Sequence, residues 1–331
     1  MAETREDEVT SAPKVGNAGR QGLQIPTLYF TIALLVVVGL AFYLGNRNFL
    51  SLYNINTITS FAAVLLMVSL GQMCTILIGG IDLSVGGIIS FVSVVFVVTI
   101  GRFGQWTYLL CILVGALFGY LNGILLTRIK IPSFIATLGM GGILVSLAYL
   151  VSARPVNVPS STYKTLNLVN GSLLGVGNVL WLGVVVLALF YILLRFTASG
   201  RNIFYVGSNI RMSWMSGIDI AKTRNFAFVL SGLGASIAGV MISSVRFGGD
   251  PSVGDPYILN SIAAVVVGGT ALTGGTGGVL NTLFGALLLS ALANGMNVVG
   301  IDIYFQQTIL GLMIIISVVL TFDRSKTPII K

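Results

Sequence analysis

Ten apolar stretches of 15 to 22 residues follow one another from Pro26 to Phe322, joined by short polar connections, and nothing else in the chain so narrows what it can fold into. A hydrocarbon core about 30 Å thick takes roughly 20 helical residues to cross. Ten crossings therefore use about 200 of the 331 residues, and the remainder is too divided to form a separate globular enzyme domain. Lipid offers no partner to backbone N–H and C=O groups, so each stretch must close its own hydrogen bonds as a helix. Composition agrees: 55% of residues are hydrophobic, only 8% are charged where soluble domains carry about 25%, and the mean hydropathy is +0.97. The expectation is an all-α polytopic membrane protein with about ten transmembrane helices.

The stretches run over Pro26–Gly45, Ile58–Ile78, Val85–Ile100, Trp106–Thr127, Pro132–Val151, Val179–Phe196, Phe226–Val245, Ile258–Leu272, Val279–Val298 and Tyr304–Phe322. The eighth is short and ends in glycine, which marks it as a broken or re-entrant segment. Residues 1–25 carry the acidic run Glu6, Asp7, Glu8 and no apolar core, so they read as a disordered cytoplasmic tail and not as a signal peptide. Residues 26–322 form the membrane domain, and 323–331 a second short tail.

Charge gives an independent check on the count. With the amino terminus inside and strict alternation, the inside set is Arg5, Lys14, Arg20, Arg128, Lys130, Arg195, Arg201, Arg211, Lys222, Arg224, Arg324, Lys326 and Lys331, which is 13 of the 18 basic residues. Arg47, Arg102, Arg154, Lys164 and Arg246 fall outside. The positive-inside rule is met with an even number of crossings, which places both termini in the cytoplasm. Trp106, Trp181, Tyr29, Tyr53, Tyr108, Tyr191 and Tyr304 sit near segment ends, where headgroup anchors belong.

Several function classes drop out. With no histidine the chain lacks the commonest general base, proton relay and metal ligand, and no catalytic or metal-ligating cluster appears. Cys74 and Cys111 lie in apolar runs and read as small buried hydrophobes. The net charge of +8 is scattered at segment ends, so it reports topology and not a nucleic-acid surface. There is no phosphate-binding loop and no room for a nucleotide-binding domain, and carboxylates in the membrane segments are too few to favour proton coupling. Sodium coupling through carbonyls and hydroxyls stays open. Energy is expected from another subunit.

Glycine carries the packing signal. Gly115, Gly119 and Gly123 recur every four residues on one face of the fourth segment, as do Ala235 and Gly239 on the seventh, and such faces let helices approach closely in lipid. Two stretches also match each other: Ile78-Gly79-Gly80-Ile81-Asp82-Leu83-Ser84-Val85-Gly86-Gly87 and Val267-Gly268-Gly269-Thr270-Ala271-Leu272-Thr273-Gly274-Gly275. Paired glycine breaks in corresponding halves point to an internally repeated transporter with broken helices beside its pathway. Asp82 is a pathway or gate residue, or else it or Ser84 caps the third helix. Gln72, Asn122, Thr273, Asn281 and Asn294 either line a passage or bridge helices.

The longest inside connection, Thr197 to Arg224 (197–224), contains a short helix over Ile210 to Ser216, capped by Ser208 or Asn209 and ended by a left-handed Gly217. It carries Ile210, Met212, Trp214 and Met215, too apolar for a free two-turn helix in water, so it lies on the bilayer or in a groove of another protein.

The stretches Gly79–Gly86 and Ile131-Pro132-Ser133-Phe134-Ile135-Ala136-Thr137-Leu138-Gly139, the loop from Gly200-Arg201 through Gly207-Ser208-Asn209 to Ser216-Gly217-Ile218, and Ile262–Thr270 together resemble the ribose-type permeases of bacterial ABC importers. The resemblance implies a multi-pass protein of the bacterial inner membrane, a dimer with a second permease copy, bound to an ATPase subunit with duplicated nucleotide-binding domains and fed by an extracytoplasmic sugar-binding protein. It implies no cofactor on this chain, with ATP and Mg on the ATPase. The loop helix would then be the coupling helix, with Arg201, Tyr205, Asn209, Met212, Trp214, Met215, Ser216 and Gly217 on the ATPase side. Ser213 and Trp214 depart from the two small residues usual there. Asn157, Lys164, Asp250 and Asp255 on the outside loops are the receptor-facing candidates, although Asp250 and Asp255 beside Pro251 and Pro256 also suit ordinary turns. Nucleoside importers and ion-coupled secondary transporters are the alternatives.

Overall fold

The computed structural model describes residues 27–321, so the expectations for the two tails lie outside the described residues. Every apolar stretch becomes a helix. In chain order they are α1 (Thr27–Gly45), α2 (Leu52–Leu77), α3 (Val85–Phe103), α4 (Trp106–Thr127), α5 (Ser133–Val151), the single turn α6 (Asn167–Asn170), α7 (Asn178–Phe196), α8 (Ala198–Ser208), α9 (Ile210–Met215), α10 (Ile220–Arg246), α11 (Asp255–Val267), α12 (Val279–Val299) and α13 (Ile303–Thr321). Among the described residues α1 to α5, α7, α10 and α12 are long and apolar enough to cross a membrane. Of the eighth stretch, expected over Ile258 to Leu272, only residues 258–267 are helical, as part of the 13-residue α11. At 1.5 Å per residue this helix rises about 20 Å, short of the hydrocarbon thickness, so α11 is a half-span. Among the described residues, strand content is limited to β1 (Val156–Asn157), which pairs with β4 (Gly248–Gly249), and β2 (Ser172–Leu173), which pairs with β3 (Val176–Gly177).

Helix α10 is the hub, packed between α4, α2 and α3. In lipid no water is released when helices meet, so their association depends on close backbone contact. The expected glycine face supplies it. Gly119 lies against the Phe228 carbonyl, Gly115 against Gly232 and Ser236, and a Cβ added at Gly123 would stand 2.7 Å from Asn225 Cγ. On other faces of α10, a Cβ added at Gly239 would stand 2.9 Å from the Ile89 carbonyl of α3, and one added at Gly71 of α2 would stand 2.8 Å from Ser231 Cα. One end of the bundle carries Arg128, Lys130, Arg195, Arg201, Arg211, Lys222 and Arg224, and is called the basic end below.

Candidate translocation and docking sites

The two matching stretches end α2 and α11 by the same device. Gly79 takes a left-handed φ of +74°, its N–H donating to Ile76 O (2.9 Å) while Gly80 N donates to Thr75 O (2.9 Å). In α11 the left-handed residue is Gly269, with Gly269 N donating to Val266 O (2.8 Å) and Thr270 N to Val265 O (3.1 Å). Both are six-to-one helix terminations, in which only glycine avoids the Cβ penalty. The structural repeat therefore pairs Gly79 with Gly269, one residue away from the pairing by sequence. At the basic end the two breaks touch: Gly275 N donates to Leu77 O at 2.9 Å. Gly207 of α8 closes the third side, where an added Cβ would run into Leu77 O and stand 2.6 Å from Gly275 N. Thr273 is exposed on the same loop.

Beyond Gly80 the chain climbs α5. Ile81 N donates to Ser133 Oγ (3.3 Å), Leu83 N to Thr137 Oγ1 (3.0 Å), and Gly87 packs on Gly141. Ser133 to Gly141 is about 12 Å of helix, so α3 starts well inside the bundle. Asp82 is consequently 0% exposed. Its Oδ1 accepts from Ser84 N (2.9 Å) and Ser84 Oγ (2.6 Å), and Ser84 Oγ accepts from Asn122 Nδ2 of α4 (2.7 Å). With its amide oriented to match its neighbours, Gln72 of α2 donates to Asp82 O (3.0 Å) and accepts from Asp82 N (3.2 Å). Ser231 of α10 faces the carboxylate without completing a hydrogen bond to its second oxygen. Gln72, Asp82, Ser84 and Asn122 thus form one buried cluster at the first break. Ser84 stands at the N-cap of α3, but its hydroxyl makes no capping bond, and the one backbone N–H that the Asp82 side chain reaches is that of Ser84 itself.

The remaining polar candidates bridge helices elsewhere. Asn281 Nδ2 donates to Gly268 O (2.9 Å), tying α12 to the end of α11, and Asn294 Nδ2 donates to Asn54 Oδ1 (2.8 Å), tying α12 to α2. For the cluster, Asp82→Asn keeps an acceptor for Ser84 N and Oγ and is expected to unfold close to wild type in a thermal melt of the purified protein. Asp82→Ala orphans both groups, at about 1–3 kcal/mol each, and is expected to melt clearly lower. Equal damage from both variants would make the charge, and not the hydrogen bonds, the quantity that matters.

At the basic end the loop is more ordered than its sequence announced. Thr197 Oγ1 accepts from Gly200 N (3.0 Å) and starts α8, a helix not anticipated. Asn209 Oδ1 accepts from Met212 N (3.0 Å) and caps α9, which Gly217 ends with φ +77° and an Ile218 N to Ser213 O bond of 3.0 Å. The result is a rigid apolar knob: Met212, Trp214 and Met215 are 66%, 71% and 73% exposed, Ile210 and Ser216 are also exposed, and Ser213 is buried beneath them. Next to it Asp219 caps α10 by accepting from Lys222 N (2.9 Å), which with the Lys222 ammonium 3.4 Å away holds its carboxyl below the usual range. Arg201 and Tyr205 do not join the knob. They line a separate cavity of about 470 Å³ with Tyr191 and Arg195 of α7 and the first turn of α12.

At the opposite end the loops are stitched into one platform. Asn157 pairs with Gly248 in the β1–β4 ribbon, Val158 N donates to Phe247 O (2.9 Å), and the Tyr163 and Phe247 rings meet edge-on at 5.1 Å. Asp250 Oδ1 accepts from Ser252 N (2.8 Å) and Oγ (2.9 Å), forming a turn. This turn is held to α3 by Ser93, whose Oγ accepts from Asp250 N (3.1 Å) and donates to Asp250 O (3.0 Å). Asn157, Lys164 and Asp255 are exposed on this platform.

The comparisons with known proteins agree with this layout. Residues 54–318 match the family model described as branched-chain amino acid transport system / permease component. The chain is 33% identical over 293 residues to the ribose import permease protein RbsC of Haemophilus influenzae, covering 87% of this chain and 90% of that one. It is 32% identical to the ribose import permease protein RbsC of Bacillus subtilis, covering 85% and 88%, and 33% identical to the fructose import permease protein FrcC of Rhizobium meliloti, covering 87% and 82%. No solved structure matches. With a half-span, two glycine breaks and an apolar knob on a multi-pass helical bundle, the chain belongs to the branched-chain amino acid transport system / permease component family, as a ribose-type ABC permease of the plasma membrane.

Proposed function

We propose that this chain is the pore subunit of an ATP-driven importer that carries a monosaccharide or a related small polar solute inward, delivered by a soluble binding protein. The observation that carries the reading is the knob of α9, because an exposed Met212–Trp214–Met215 surface on a capped six-residue helix needs a groove to enter. Relatives named as ribose and fructose import permeases support the solute class. In this reading the basic end faces the cytoplasm, as the positive-inside rule requires, and the knob docks on an ATPase subunit with duplicated nucleotide-binding domains. ATP and Mg stay on that subunit. The platform bearing Asn157, Lys164, Asp250 and Asp255 receives the binding protein, and a second copy of the chain completes the pathway.

ATP binding on one side and receptor docking on the other would each favour one of two arrangements, and the permease is driven by that difference alone. The test is reconstitution in liposomes. Uphill uptake is expected only when the ATPase subunit, ATP and the loaded receptor are all present. Concentrative uptake by the chain alone under a sodium gradient would replace this reading with an ion-coupled one, and a receptor that binds nucleosides but not sugars would move it to the nucleoside branch.

A further inference from the structure

We propose that the cavity between the end of α7, α8 and the start of α12 holds the phosphate headgroup of an anionic phospholipid from the leaflet at the basic end. The proposal rests on the cytoplasmic orientation of that end given above and goes beyond transport. The cavity, about 470 Å³, has the size of ligand-binding pockets, and two arginines line it, Arg195 from the last turn of α7 and Arg201 from α8. No carboxylate is among its lining residues, and the ion pair found among the described residues joins Lys222 to Asp219, so neither arginine has a carboxylate partner among the described residues. The third wall is Gly277, Gly278 and the first turn of α12. That 21-residue helix has no acidic residue in its first turn and no side-chain cap, so its leading amides and dipole add positive potential to this wall.

Position selects a lipid over a soluble anion. Tyr191 lies five residues, about 7 Å, before the end of a spanning helix, which is the depth of the headgroup region. Tyr191 and Leu280, which line the cavity, are 42% and 45% exposed, an apolar margin on which acyl chains lie while the phosphate enters beside the arginines. Basic pockets between transmembrane helices on the cytoplasmic side have the charge and geometry to capture such headgroups, with the fork of arginine matching phosphate oxygens in pairs.

The test is native mass spectrometry of the full chain purified in mild detergent and titrated with phosphatidylglycerol or phosphatidylcholine. Phosphatidylglycerol is expected to stay bound under activation that strips phosphatidylcholine. Arg195→Gln with Arg201→Gln is expected to weaken phosphatidylglycerol binding roughly 30-fold, at a factor of about five per basic group, with phosphatidylcholine unchanged. Arg195→Lys with Arg201→Lys keeps the charge and is expected to retain most of the binding, which guards against a glutamine pair that fails to fold. Equal retention of both lipids would overturn the proposal, as would inorganic phosphate occupying the site with no preference for the lipid. So would a glutamine pair that loses the ATPase subunit while retaining phosphatidylglycerol, since the cavity would then belong to a protein contact. A chain lacking residues 1–25 should bind the lipid as the full chain does; a large gain on that deletion would make the acidic Glu6–Glu8 run the native occupant.

Discussion

Alanine at Met212, Trp214 and Met215 together is expected to strip the ATPase subunit from the purified permease while leaving membrane insertion intact. Trp214 stands 71% exposed at the centre of the knob, and an aromatic anchor of this kind contributes about 2 kcal/mol or more to an interface, roughly 30-fold in affinity. The helix itself survives the change. Asn209 still caps it, Gly217 still ends it, and alanine is the best helix former. Loss of co-purification therefore reports a lost contact and not a melted loop, and ATP-driven uptake should fall with it. Unchanged co-purification would place the energy-supplying contact elsewhere on the chain.

Gly207→Val acts one step further in. Its Cβ position is occupied by Leu77 O and lies 2.6 Å from Gly275 N, both backbone atoms of the two breaks, which cannot swing aside as a flexible side chain would. Overpacking at such a site costs about 1–3 kcal/mol or more, relieved by moving α8 away from the place where α2 and the second break meet. The variant is expected to bind the ATPase subunit, because α9 is unchanged, but to uncouple it: ATP hydrolysis continues and uptake falls more than tenfold. Measuring the two rates side by side separates this outcome from simple loss of assembly. Uptake in proportion to hydrolysis would show that α8 can leave its seat without consequence.

Features decided within a few residues were legible in the sequence. The Asn209 cap, the Gly217 termination and the four-residue glycine face of α4 follow from local chemistry and spacing, and all are present. The register of the repeat was not, because either glycine of a Gly-Gly pair can adopt the left-handed conformation. The choice is made by a neighbour: at the second break Gly268 is pressed against the Asn281 carbonyl and accepts from its side chain, which leaves Gly269 to make the turn. The Gln72–Asp82–Asn122 cluster was equally hidden. Each polar residue was visible, but Asn122 and Ser84 lie 38 positions apart, and only the fold shows them as partners. Thr197 and Gly200 carried a readable start for α8, masked by the break in apolar periodicity at Arg201 and Asn202. The Arg195–Arg201 cavity joins residues from two helices; in the sequence Arg195 reads as an inside charge and Arg201 as a coupling-loop residue, with nothing to pair them.

The grip of Ser93 on the Asp250 turn has a mechanical corollary. Between Ser93 and Val85 runs an unbroken helical rod about 12 Å long, and its foot is contiguous with Asp82 and Ser84. In the proposed reading, a binding protein docked on the far platform would bear on this rod, whose other end meets the buried carboxylate cluster.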